Sequence, residues 1–175
     1  MKASIMTISI NDIRRFETKT TPKAEAYSPN KDRAAWELAT MDVTPRGSLC
    51  ERIIADQIEQ TTGIPTRALE GNGDYDVMVG LDNRPVRVEV KSCICNKNAW
   101  TNHQAENYTI AAVKPELFDF LFAIKIRPYG VEVKWCHTSD LQGWITQKRG
   151  QQGYRLPITN WPDFFYDLED FPGDF

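Results

Sequence analysis

Residues 74–93, DYDVMVGLDNRPVRVEVKSC, hold two valine-rich runs divided by a polar stretch, and they narrow the folds open to this chain more than any other segment. Side chains alternate between the two faces of a strand. In 85–91, Val86, Val88 and Val90 share one face, and Arg87, Glu89 and Lys91 share the other. In 75–79, Tyr75, Val77 and Val79 oppose Asp74, Asp76 and Met78. Asp82 and Asn83 tolerate the left-handed backbone of a tight turn, so a turn centred there makes 75–80 and 85–92 an antiparallel hairpin. That register sets Val77 opposite Val88, Asp76 opposite Glu89 and Asp74 opposite Lys91.

Directly opposed residues have Cβ atoms about 4.5–5.5 Å apart. Two carboxylates at that separation repel, so one takes a proton or a cation sits between them. Oxygen ligands with open positions suit Mg²⁺, which takes one or two carboxylates and keeps several waters, with Mn²⁺ able to substitute. Lys91 lies on the face of Glu89, roughly 7 Å along the strand. From there it can orient a metal-bound water or stabilise charge developing on phosphorus. VEVK occurs twice, at 88–91 and 131–134. A solvent-facing hairpin edge accounts for either copy alone. The first copy is set apart by the preceding strand, an acid followed by apolar residues, and by an upstream helix carrying Glu51.

That helix is expected in SLCERIIADQIEQTTG: Leu49, Cys50, Ile53, Ile54 and Ile58 recur at helical spacing and Gly63 ends the run. Ser48 with Glu51 three residues on has the form of a capping box, which gives Glu51 a structural role that can coexist with a chemical one. NKDRAAWELATM (30–41) also reads as a helix, with Asn30 as its cap. Residues 1–30 read as a polar N-terminal segment. A strongly apolar strand is expected at 117–126. The turn RPYG then leads into the alternating strand VEVKWC, 131–136. A further helix is expected at 139–147, and a basic, glycine-containing loop runs to residue 155. This order predicts an α/β (α+β) fold with a mixed central β-sheet flanked by α-helices.

The 175 residues suit one domain with a sizeable core. No apolar run approaches the roughly 18 residues that span a bilayer, and the start lacks a signal-peptide core, so the expectation is a cytoplasmic protein with no membrane partner. Of the four cysteines, Cys50, Cys93, Cys95 and Cys136, none forms a C-x-x-C pair, and only His103 and His137 could add imidazole ligands. Reduced, partly buried thiols are therefore expected rather than a zinc centre. Net charge is −3, but residues 161–175 (WPDFFYDLEDFPGDF) carry five acids and no Lys or Arg, which leaves +2 on the rest. A weakly basic body with an acidic tail is compatible with DNA binding. Trp161, Phe164, Phe165 and Leu168 in that tail are spaced to pack a helix or turn onto the core, with the acids facing water.

Taken in order, RGSLCERIIADQI, GDYDVMVG, RVEVKS and FDFLFAIKI with VEVKW resemble the PD-(D/E)XK nuclease superfamily, the restriction-endonuclease-like fold. The resemblance covers about 46–136, roughly half the chain. It implies an α-β-β-β-α-β core in which Asp76 and Glu89 are metal ligands, Lys91 is the catalytic lysine and Glu51 is the helix glutamate that some members add. Tyr75 stands where many members have proline. The implied activity is metal-dependent hydrolysis of DNA phosphodiesters, with Mg²⁺ as cofactor. Cutting both strands of a duplex calls for two sites, and so for a homodimer. Lys97, Trp100, Asn102, His103 and Gln104 fall in a region that can approach substrate in such folds. Lys148, Arg149 and Arg155, spaced by Gly and Gln, are candidates to follow a phosphate backbone. A non-catalytic nucleic-acid-binding or regulatory protein on the same fold is the alternative.

Overall fold

The computed structural model describes residues 7–16, 32–69, 71, 73–80, 84–94, 107–145 and 152–175. Three helices come first: α1 (Ile10–Phe16), α2 (Arg33–Thr40) and α3 (Val43–Thr62). The strands are β1 (Thr66–Ala68), β2 (Val77–Val79), β3 (Val86–Ile94), β4 (Thr109–Val113), β5 (Phe120–Arg127), β6 (Gly130–His137) and β7 (Tyr154–Pro157). Five of them form a mixed sheet in the order β1-β2-β3-β5-β6, and β4 pairs with β7 in a second sheet. The β3–β5 pairing is parallel, and the other pairings of the large sheet are antiparallel.

β5, in FLFAIKIR, is buried from Phe120 to Ile126 because neighbours flank it and both of its faces are covered. Phe122, Ile124 and Ile126 pack with the helices in one core, together with Val88, Val90, Ile53, Ile54 and Ile58. Leu121 and Ala123 face the other way, into a second core with Cys93, Cys136, Ile110 and Leu156. The small sheet of β4 and β7 covers that second face. Gly153 lets the two strands close. Its φ is +76°, and a Cβ there would lie 2.7 Å from the Val113 carbonyl oxygen.

Several sequence expectations need correction. α3 begins at Val43, with Asp42 in the N-cap position, so Ser48 lies inside the helix and does not cap it. Pro45 and Gly47 imitate a loop, but proline is tolerated in a first turn, where N–H groups have no intrahelical acceptor. The reciprocal capping pattern is found instead at α1. There Ser9 Oγ and N donate to Asp12 Oδ2 at 2.6 and 2.7 Å, and Asp12 N donates to Ser9 Oγ at 3.3 Å. That helix occupies part of what reads as a polar segment. Asp32 caps α2, its side chain accepting from Ala35 N at 2.8 Å; Asn30 lies outside the described residues. In place of a helix at 139–147 there is a 3-10 stretch, Thr138–Gly143. Arg155, expected in a loop, sits on β7. Between β3 and β5, where the resemblance implies a helix, the described residues hold β4 and a 3-10 turn at Pro115–Leu117.

The acidic C-terminal segment packs as expected, in turns rather than a helix. Tyr166 pairs with the backbone of Trp135, Trp135 Nε1 donates to the Asp167 carbonyl at 2.7 Å, and the Phe171 ring lies 5.0 Å from Phe120 and 5.3 Å from Phe122. Asp167 does not simply face water: it pairs with Lys134 at 3.0 Å. Cys50, Cys93 and Cys136 are buried free thiols; Cys95 lies outside the described residues. No helix among the described residues is long and apolar enough to cross a membrane.

Candidate active site

β3 runs between β2 and β5, and its alternation brings Glu89 and Lys91 to one face, where Lys91 Nζ forms an ion pair with Glu89 Oε1. Glu89 is 8% exposed, so that pair is largely shielded from water. Val77 opposes Val88, as the hairpin register requires, but the ladder stops there. Asp76 is one residue beyond it. Its N–H donates to the Val88 carbonyl at 3.0 Å, its own carbonyl accepts from Leu69 N at 2.8 Å, and its Oδ2 accepts from Val90 N at 2.8 Å. The side chain thus takes over an acceptor position on the edge of β3 where β2 has ended. Asp76 is therefore not a ladder partner of Glu89, as the hairpin alone suggests. Its carboxylate still lies close enough to that of Glu89 to raise the proton affinity of Glu89. Asp74 is an exposed bend residue with no ladder pairing to Lys91.

Glu51 comes from α3, one turn after Gly47. Burial first, and then Asp76 and Glu89, push its carboxyl up to about 7, against the pull of Lys91 and Arg52. Burial also raises Glu89 above the usual carboxylate range; Lys91 opposes the shift and Asp76 adds to it. Helix, strand end and neighbouring strand thus bring Glu51, Asp76, Glu89 and Lys91 into one electrostatic unit with three acids and one base. Such a unit takes up positive charge, as a proton or as a cation.

No group of three or more His, Cys, Asp or Glu side chains among the described residues is gathered as a metal cage. Asp76 and Glu89 offer two carboxylates, a donor set that fits an open, hydrated Mg²⁺ and does not make a closed protein site.

The second VEVK copy is engaged structurally. Glu132 accepts from Trp161 Nε1 at 2.8 Å, pairs with Arg127 and lies 3.6 Å from Lys125. Burial would raise its carboxyl, but those partners outweigh burial and hold it below the usual range. At the start of β3, Arg87 binds Asp119 through two nitrogens, at 2.8 and 3.2 Å, which ties β3 to the chain entering β5.

Of the candidate nucleic-acid contacts, Lys97, His103, Lys148 and Arg149 lie outside the described residues, as do Trp100, Asn102 and Gln104. Arg155 stands exposed on β7. Sequence reasoning gave the residues beside Glu51 on α3 no role beyond a cap at Ser48. Thr44, Gly47, Ser48 and Arg52 line a cleft of about 450 Å³ whose other wall includes Ala68 and Leu69. The i, i+4 spacing of Gly47 and Glu51 was the available signal, concealed by starting the helix at Ser48.

No family model matches the chain, and no curated protein matches it.

Proposed function

We propose that the protein is a divalent-cation-dependent endonuclease that hydrolyses DNA phosphodiester bonds, on a core of restriction-endonuclease type. The observation that carries this reading is the Lys91–Glu89 ion pair on β3, with Asp76 and Glu51 near enough to interact with it electrostatically. The order α3-β1-β2-β3-β5, with β3 and β5 parallel, supports it.

Mg²⁺ or Mn²⁺ held by Asp76 and Glu89 would supply polarisation of the phosphate and a lowered pKa for the attacking water. The chain's own groups do the rest. Val90 N–H fixes Asp76 Oδ2 and so orients that carboxylate. Lys91 holds a positive charge beside Glu89 before reaction, so stabilising a pentacoordinate phosphate needs little reorganisation. Glu51, with its carboxyl near neutrality, can accept the proton of the attacking water or return one to the leaving oxygen.

Incubating the folded protein with supercoiled plasmid tests the reading. Nicked and linear DNA are expected with Mg²⁺ or Mn²⁺ and not with EDTA, and Asp76→Asn and Glu89→Gln should abolish both products. Plasmid left intact by the wild type with either cation would overturn the nuclease assignment. Retained DNA affinity in that case would favour the non-catalytic binding protein.

A further inference from the structure

On one side the candidate site meets the cleft between the first turns of α3 and β1, since Glu51 belongs to both. At about 450 Å³ the cleft falls within the range of roughly 300–1,000 Å³ in which ligand pockets lie. Gly47 sits in its helix wall, inside a helix of 20 residues. Its backbone is helical, so no unusual φ calls for glycine there. A Cβ added at Gly47 would meet only Glu51 Oε1, at 3.8 Å, an ordinary contact. Helix energetics therefore favour alanine at this position, because interior glycine is destabilising relative to alanine. What glycine leaves is a bare strip of backbone beside the Glu51 carboxylate, and glycine is the residue that permits close approach to a backbone.

The geometry points to Gly47 as the place where one strand of the DNA substrate lies against α3 on its way to Glu51, Asp76, Glu89 and Lys91. This rests on the nuclease reading and adds to it the route of the scissile strand. The lining fits such an occupant. Thr44, Ser48 and Arg52 offer hydroxyl and guanidinium donors of the kind that bind phosphate oxygens, while Val43 and Leu69 offer apolar surface to sugar and base. Glu51 lines the cleft and is also the group that interacts with Asp76, Glu89 and Lys91.

Gly47→Ala and Gly47→Leu test the inference, since both introduce strong helix formers. Gly47→Ala should raise Tm by about 2–4 °C, the shift expected for a helix-interior glycine replaced in a chain of this size. Gly47→Leu fills the cleft. On a fluorescein-labelled DNA duplex with Mg²⁺ it should raise KM by about tenfold or more, with a smaller change in kcat, as expected when substrate is misplaced while the reacting groups stay intact. Gly47→Ala should fall between it and the wild type. A Gly47→Leu protein with wild-type Tm and wild-type KM would overturn the inference, and so would a fall in Tm for Gly47→Ala, which would make the glycine a packing requirement. A wild type that cleaves no duplex at all sinks the nuclease reading and this inference with it. A wild type that cleaves alongside a fully active Gly47→Leu sinks only the inference.

Discussion

Burial raises the proton affinity of both Glu51 and Glu89, and Asp76 adds to the shift in each. For Glu51 the folded value of about 7 lies above the ordinary 4.5. Between those values the folded state keeps a proton that the unfolded state has lost, so stability falls as pH rises through the window and the deficit persists above it. Without divalent cation, Glu51→Gln should therefore raise Tm at pH 8 and leave it nearly unchanged at pH 4; a drop in Tm at pH 8 would show that the charged form is stabilising there. Lys91 and Glu89 should separate chemistry from cation binding. Glu89→Ala is expected to abolish both cation affinity and cleavage. Lys91→Ala removes a repelling charge, so cation affinity by calorimetry should hold or rise while single-turnover cleavage falls by about 10²-fold or more. Wild-type cleavage by Lys91→Ala would reduce VEVK at 88–91 to a hairpin edge. That Glu89 and Lys91 share a face was legible because strand alternation alone decides it, whereas Asp76 lies just outside β2 and is placed by its bond to Val90. The company kept by Glu51 was not legible, because it depends on how α3 lies against the ends of β2 and β3.

Elements were legible where the pattern was regular and misread where a local signal had a second meaning. The Ser48–Glu51 spacing matches a capping box, yet the helix starts at Val43 and the reciprocal bonds belong to Ser9 and Asp12. Ser9→Ala should cost about 1 kcal/mol, the scale of a lost cap, whereas Ser48→Ala should stay within about 0.5 kcal/mol. Urea denaturation of the two variants measures the difference, and the reverse order would return the cap to Ser48. The strands β4 and β7 were missed for another reason. Thr109 pairs with Pro157 and Ile110 with Leu156, partners far apart in sequence, and the register shifts before Val113 pairs with Tyr154. Ala112 takes a φ of 57° within that irregularity, so TIAAV does not alternate as a regular strand would.

At the scale of the molecule, the two faces of the large sheet carry two cores, and the chain's last residues complete one of them. Phe171 is 5% exposed and meets Phe120, Phe122 and Trp135 edge-on at 5.0–5.3 Å. Phe171→Ala should cost about 3–5 kcal/mol, the scale for deleting a buried aromatic side chain. The readout is again urea denaturation; a loss below about 1 kcal/mol, the size of an ordinary substitution, would mean the segment only lies on the surface. The aromatic content of 161–175 predicted this docking against the pull of its five acids. That the two clusters stay apart, Glu132 bound to Trp161 and Glu89 paired with Lys91, follows from which strand each VEVK copy occupies.

By itself the sequence determined the mixed α/β class, the hairpin register from Val77 and Val88 outward, the buried central strand and the side chains that share the face of Glu89. These follow from periodicity, which acts between near neighbours. Only the tertiary structure decided that Asp76 leaves the ladder to bind Val90, that Glu51 meets it from α3, that β4 pairs with β7 and that Glu132 of the second VEVK copy binds Trp161 and Arg127. Each of these depends on contacts between segments separated along the chain. Their geometry is set by packing helices against a twisted sheet, and no local spacing encodes it.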